Sequence, residues 1–151
     1  MNLVLFQPEI PQNVGTLIRF SACMGIPLSI IEPCGFLFTD KHLKRAALDY
    51  EELASVERFL SWELFRASRA GKRLIAVTSH TPHVYTDFSF EPSDCLIMGQ
   101  ESKGLPPEIL GACIHQVSIP MMPGRRSYNL ALSAAMVSAE ALRQTSGFPR
   151  G

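Results

Sequence analysis

The chain has 151 residues, 46% of them hydrophobic and 19% charged, which is the composition of a single globular domain (residues 1–151) with a full apolar core rather than a disordered chain. Fourteen Lys and Arg balance fourteen Asp and Glu, which excludes a uniformly basic nucleic-acid coat but leaves room for a local basic patch. No apolar run approaches the roughly 18 residues of a membrane span, and Met1 to Phe6 lacks the basic start and long apolar core of a secretory signal.

The chain starts with a short apolar run, Leu3 to Phe6, which reads as a strand and is broken by Pro8 and Pro11. Val14, Leu17, Ile18, Ser21 and Ala22 follow at helical spacing and predict an amphipathic helix, ended by Gly25 and Pro27. Leu28 to Ile31 is a second strand. Residues 33–50 read as a loop and then a short basic helix, with Asp40 as its N-cap. Residues 57–70 read as a helix stopped by Gly71. Leu74 to Val77 is a third strand, and residues 79–93 are loop-like. Cys95 to Met98 is a fourth strand, residues 106–113 a short helix, and Val117 to Ile119 a fifth strand. A long helix fills residues 128–144. Apolar strands that alternate with helices predict an α/β fold with a mostly parallel sheet, covered on both faces. Ligands in such sheets sit beyond the carboxyl ends of the strands, so the segments after the strands are where function is sought.

Three of those segments stand out. After the first strand, Gly15, Thr16, Arg19 and Cys23 share the side of the helix away from the apolar stripe. Gly15 is expected to let the first turn lie close to the sheet. Arg19 is either a clamp for a phosphate or carboxylate, or an exposed arginine on a solvated face. After the fourth strand, Gly99 and Gly104 bracket Glu101 and Lys103. Such a loop either cradles a ligand with backbone N–H groups or is an ordinary turn, and it is neither a Walker loop nor GxGxxG. After the fifth strand, Ser127 is placed to cap the long helix, with Arg125 and Arg126 favouring an anion beside it. That helix is apolar nearly all round and rich in small residues, which points to close packing against a second copy of the chain.

Cys23, Cys34, Cys95 and Cys113 are widely spaced and form no CxxC pair, so free thiols in a reducing cytoplasm are expected. His42, His80, His83 and His115 form no metal-ligand pattern, and no GxSxG elbow is present.

Asn13-Val14-Gly15-Thr16-Leu17-Ile18-Arg19, Met98-Gly99-Gln100-Glu101-Ser102-Lys103-Gly104, and Ile119-Pro120-Met121 through Ser127-Tyr128-Asn129-Leu130 together resemble the three motifs of the SPOUT superfamily of RNA methyltransferases. Within it the chain is similar to the TrmL (YibK-like) family of tRNA (cytidine/uridine-2′-O-)-methyltransferases. Gln7-Pro8-Glu9-Ile10-Pro11-Gln12-Asn13, Ile31-Glu32-Pro33 with Gly35-Phe36, and Asp40-Lys41 through Leu48-Asp49-Tyr50 extend the likeness over about residues 2–145. The resemblance implies a SPOUT-type sheet with a C-terminal deep trefoil knot, a homodimer, no separate RNA-binding domain and no metal. It implies S-adenosylmethionine, bound bent at Val77, Gly99, Ile119 and Ser127, with Thr78, Gly104, Met121 and Leu130 as neighbours. It makes Arg19, Glu101 and Asn129 the catalytic residues, Arg19 being either the general base or a phosphate clamp.

The implied reaction is 2′-O-methylation of the wobble pyrimidine in a tRNA anticodon, in the family that of leucine isoacceptors. Arg19, Lys41, Lys44, Arg45, Lys103, Arg125 and Arg126 would then meet the anticodon stem-loop around one cleft. Ala139-Glu140-Ala141-Leu142 departs from the aromatic Tyr-Glu-Ala-Trp-type stretch of the family pattern. The alternatives are a 2′-O-methyltransferase for another RNA such as rRNA, a non-catalytic dimeric RNA-binding protein of the same fold, and a flavodoxin-like nucleotide-binding domain.

Overall fold

A computed structural model describes all residues, 1–151. Six strands form one parallel sheet: β1 (Asn2–Phe6), β2 (Leu28–Ile31), β3 (Val56–Phe59), β4 (Leu74–Val77), β5 (Cys95–Met98) and β6 (His115–Val117), in the order β3-β2-β1-β5-β4-β6. Five helices cover it: α1 (Pro11–Met24), α2 (Lys41–Ala47), α3 (Trp62–Ser68), α4 (Pro107–Ala112) and α5 (Leu130–Gln144).

Alternation along the strands divides the core into two layers. Leu3, Leu5, Leu28, Ile30, Ile75, Leu96 and Met98 face one way and pack with residues of α1, α2 and α5. Val4, Phe6, Ile31, Leu74, Ala76, Cys95 and Ile97 face the other way and meet Phe65 of α3 and Ile109 of α4. Burial on both faces is why β1, β2, β4 and β5 read as mostly apolar runs, interrupted only by Asn2 and by Ser29, both buried. On the second face Phe59 and Phe65 pack edge to face, with ring centroids 5.3 Å apart.

A buried ion pair holds the start of β5. Asp94 is fully buried and accepts from Arg73 Nε at 2.8 Å and from its terminal nitrogen at 3.0 Å. The same guanidinium reaches Glu91 at 2.7 Å and the Ser89 carbonyl at 3.0 Å. One arginine, placed just before β4, therefore fastens the 89–94 loop that leads into β5.

The structure corrects several local expectations. The region 57–70 is not one helix: residues 56–59 form β3, and the helix begins only at Trp62, where the Ser61 hydroxyl accepts from the Leu64 amide. β3 lies at the sheet edge and pairs only with β2. Its Glu57 and Arg58 are exposed, so it lacks the apolar run that marks the other strands. The last strand is His115–Val117 and stops before Ile119, because Ser118 instead exchanges backbone bonds with His83 and Tyr85. The cap of α5 is Asn129, not Ser127: its side chain accepts from the amides of Ala131 at 2.8 Å and Leu132 at 3.2 Å.

Gly15 does make a close approach, but to α2 rather than to the sheet. A Cβ there would stand 2.3 Å from the Leu43 carbonyl oxygen. The Asp40 cap of α2 is observed, with its carboxylate accepting from the His42 amide at 2.7 Å. Gly25 ends α1 in the left-handed conformation (φ +67°).

Candidate active site

The order of strands reverses between β1 and β5: α1 leads from β1 toward β2 on one side, and α4 leads from β5 to β6 on the other. Such a switch point opens a crevice at the carboxyl ends of the two strands. A cleft of about 680 Å³ lies there, within the roughly 300–1,000 Å³ of small-molecule sites. The segments after β1, β4, β5 and β6 wall it.

All eight residues expected at a cofactor line this cleft: Val77 at the end of β4 and Thr78 after it, Gly99 and Gly104 after β5, Ile119 and Met121 after β6, and Ser127 and Leu130 at the entrance to α5. Glu101 and Asn129 line it too, whereas Arg19 does not.

The 99–104 loop is folded tightly on itself. The Gln100 amide donates to the Gly104 carbonyl at 3.1 Å, and the Gly104 amide returns a bond to Gln100 at 2.9 Å. Gly99 is required by that fold, since a Cβ on it would lie 2.4 Å from the Gly104 carbonyl carbon and 2.6 Å from the Leu105 nitrogen. The missing side chain lets the loop close on its own backbone, and that closed turn forms this wall of the cleft.

Glu101 and Asn129 are joined through Asn13. Glu101 accepts from the Glu9 amide at 2.8 Å, the Ile10 amide at 3.2 Å and Asn13 Nδ2 at 3.4 Å. Asn13 Oδ1 in turn accepts from Asn129 Nδ2 at 3.0 Å. Three segments far apart in sequence are thus tied by one line of side chains, with Asn13 buried at its centre. Asn13 stands in the first motif, yet residue type and spacing assign it no role. Its signal was its place on α1, on a different side from Arg19. Lys103, Arg126 and Tyr128 also line the cleft, and the Tyr128 hydroxyl donates to the Pro120 carbonyl at 3.0 Å.

Arg19 projects from the exposed side of α1, with its guanidinium 5.5 Å from the centre of the Tyr50 ring. Six positions separate it from Asn13, a rotation of roughly 240° and a rise of about 9 Å on a helix. Of the other basic residues, Lys41, Lys44 and Arg45 are exposed on α2 outside the cleft, and Arg125 is exposed beside Arg126. Lys44 pairs with Glu51 at 3.4 Å. The four cysteines are unpaired, and burial pushes the Cys34 and Cys113 thiols up to about 12. No helix is long and apolar enough to cross a membrane.

Residues 1–139 match the SpoU rRNA methylase family. A tRNA (cytidine(34)-2′-O)-methyltransferase of Beijerinckia indica is 45% identical over 144 residues, which cover 94% of this chain and 90% of that protein. The protein of the same name from Escherichia coli K12 is 41% identical, covering 99% of this chain and 96% of its own length. Among solved structures, one described as giving structural insights into the 2-OH methylation of C/U34 on tRNA superposes with a TM-score of 0.92 at 39% identity, covering 97% of this chain and 96% of that one. The SpoU methyltransferase AviRb of Streptomyces viridochromogenes, in complex with the cofactor AdoMet, superposes with a TM-score of 0.83 at 26% identity, covering 95% of this chain and 60% of that one.

Proposed function

The chain belongs to the SpoU rRNA methylase family, and from that premise we propose that it transfers a methyl group from S-adenosylmethionine to the 2′-hydroxyl of the wobble pyrimidine (C34 or U34) in a tRNA anticodon. One observation carries this reading. The segments after β1, β5 and β6, which hold the three motifs, converge on a single cleft, at the switch point of a sheet shared with relatives of that activity.

The cleft residues suit the methyl donor. The closed 99–104 turn offers a backbone wall, Val77, Ile119 and Leu130 offer apolar surface for a base, and Ser127 and Thr78 offer hydroxyls. S-adenosylmethionine supplies an electrophilic methyl group on a sulfonium. The protein's share is to hold the ribose hydroxyl in line with that methyl and to favour the oxygen as it loses its proton.

Glu101 is already engaged by three N–H donors. Its part is therefore to hold the cleft wall rather than to take the proton. Asn129 has its oxygen on the α5 amides and its nitrogen on Asn13, so it fixes the start of α5 at the cleft. Lys103 and Arg126 place positive charge at the rim, where a backbone phosphate next to the reacting ribose would lie.

Arg19 serves the reaction across a homodimer. Its direction on α1 takes it away from its own cleft, while Leu132 (59% exposed) and Met136 (37% exposed) leave an apolar stripe open on α5. A second copy seated on that stripe would cover it and bring Arg19 toward the neighbouring cleft. There the guanidinium, a permanent cation, would stabilise the developing oxyanion and clamp the adjacent phosphate. The reading includes the C-terminal trefoil knot, the anticodon stem-loop as the element bound, and a cytoplasmic setting where tRNA is met.

The test is transfer of labelled methyl from S-adenosylmethionine to bulk tRNA, followed by nuclease mapping. A labelled 2′-O-methyl pyrimidine at position 34 is the expected product, with Arg19→Ala losing transfer while keeping cofactor affinity. Label on rRNA alone, or no label despite cofactor binding, would refute the tRNA assignment.

A further inference from the structure

Two carboxylates lock the loop after β1 to the loop after β5, and each accepts from the backbone of the opposite loop. Glu101 accepts the Glu9 and Ile10 amides at 2.8 and 3.2 Å. Glu9 returns the bond, its Oε1 accepting the Ser102 amide at 2.9 Å. The Ser102 hydroxyl lies 2.7 and 2.9 Å from the two Glu9 oxygens. Gln100 Nε2 adds a bond of 3.3 Å to Gln7 Oε1. Three consecutive residues, Gln100 to Ser102, are therefore each tied to the 7–13 segment.

Glu9 itself does not line the cleft, while Gln100, Glu101 and Ser102 do. Glu9 can act only through the loop it holds. The bonds from the Ser102 amide and hydroxyl, aided by Lys103, keep its carboxyl below the ordinary 4.5, so it is a charged acceptor at neutral pH. On its other side the Glu9 backbone is pressed by Gly35, whose Cβ would stand 2.9 Å from the Glu9 carbonyl oxygen, and the Gly35 amide bonds to Pro8 at 3.0 Å. Glu9 is thus anchored from behind by the segment after β2 and reaches forward to the tip of the 99–104 loop.

We propose that Glu9 is a positioning residue for the methyl-donor pocket: held on Ser102, its carboxylate sets the 99–104 loop in the shape that places Gly99 and Gly104 against the ligand and presents Glu101 to Asn13. The inference rests on the reading of the cleft as an S-adenosylmethionine site and adds a residue outside the cleft that tunes it. Without the Glu9 carboxylate the loop tip keeps only the Glu101 and Gln100 ties, and the pocket wall samples open shapes. Binding then bears the cost of ordering it.

The experiment compares Glu9→Ala, Glu9→Gln and Ser102→Ala with the wild-type protein. S-adenosylmethionine and S-adenosylhomocysteine affinities are read by calorimetry, KM for each substrate by methyl transfer, and amide exchange over residues 99–104 by mass spectrometry. Glu9→Ala is expected to weaken cofactor affinity and raise KM for S-adenosylmethionine about tenfold, the scale of a partly exposed hydrogen bond to a charged group. KM for tRNA stays near wild type. Glu9→Gln keeps one acceptor for Ser102 and recovers most of the affinity. In a Glu9→Ala/Ser102→Ala double variant the losses overlap instead of adding, as for one shared contact.

Faster exchange of the Gln100 and Gly104 amides in Glu9→Ala completes the expected pattern. Cofactor affinity in Glu9→Ala within about twofold of wild type would overturn the proposal. So would equal rises in both KM values, which mark a general structural fault. Should the wild-type protein bind no S-adenosylmethionine, the proposed function fails, and the exchange measurement alone decides whether Glu9 sets the loop.

Discussion

Asn129 joins the stability of α5 to the geometry of the cleft, and its replacement by alanine separates the contributions. Its oxygen caps two amides of the helix, at 2.8 and 3.2 Å, and its nitrogen reaches Asn13 Oδ1 at 3.0 Å. Loss of an asparagine cap costs about 1 kcal/mol. The bond to Asn13 contributes about another 1 kcal/mol, and more where the abandoned oxygen finds no water, since Asn13 is only 7% exposed. Asn129→Ala should therefore destabilise the fold by about 2–3 kcal/mol, a fall in melting temperature of about 4–12 °C for a chain of this size. Scanning calorimetry at matched protein concentration measures it, because an oligomer's midpoint moves with concentration.

Asn129→Asp retains the capping oxygen and loses the donor to Asn13, so it should show about half the fall. Its carboxylate would also face Asn13 Oδ1. Asn13 could answer only by turning its amide and giving up Glu101, so methyl transfer should drop more than stability does. A midpoint for Asn129→Ala within about 1 °C of wild type would refute the capping argument. An Asp variant as unstable as the Ala variant would refute the division between cap and bridge.

Three further outcomes are expected. Gly99→Ala forces a methyl against the Gly104 and Leu105 backbone at 2.4–2.6 Å; it should cost about 1–3 kcal/mol of stability and reduce cofactor affinity at least tenfold by calorimetry. Arg73→Met leaves the buried Asp94 carboxylate without its cation and should cost about 2–4 kcal/mol in urea unfolding, somewhat below the full cost of breaking a buried pair because Arg73 is 27% exposed. Glu140 is held down to about 2 by hydrogen bonds from Arg143 and Gln144. Its folded value lies below the unfolded one, so its contribution is complete above pH 4.5 and is lost as pH falls toward about 2. Glu140→Gln should flatten the acid limb of the stability profile across that window, measured by circular dichroism melts.

The parts of the fold that were readable follow from local rules. Strands buried on both faces announce themselves as apolar runs, so the bounds of β2, β4 and β5 agree with the sequence reading and β1 differs only by starting at Asn2 instead of Leu3. Asp40 before a helical pattern and Gly25 after one gave reliable boundaries, because capping depends on neighbours in sequence. β3 was lost because an edge strand with one partner needs no apolar run, and its Glu57 and Arg58 blended into the helical pattern that follows. Ser127 and Asn129 are both good caps by residue type. Only the path of the chain into α5 decides which side chain turns back onto the amides.

The same division holds for the site. Residue types and their order single out the segments after β1, β5 and β6, because a glycine-bracketed loop and a conspicuous arginine are local features, and the likeness to a family joins them. Tertiary structure decided what they do together. Glu101, which the family likeness implies as a catalytic residue, is engaged by the Glu9 and Ile10 amides and by Asn13. Gly15 serves the contact of α1 with α2 rather than with the sheet. Arg19 points away from its own cleft, since the turn of a helix, not its order in the chain, sets direction. Contacts between residues ninety or more positions apart, such as Glu9 with Ser102 and Asn13 with Asn129, leave no periodic trace in the sequence. They exist because a parallel sheet brings the ends of β1 and β5 side by side and α5 returns across them.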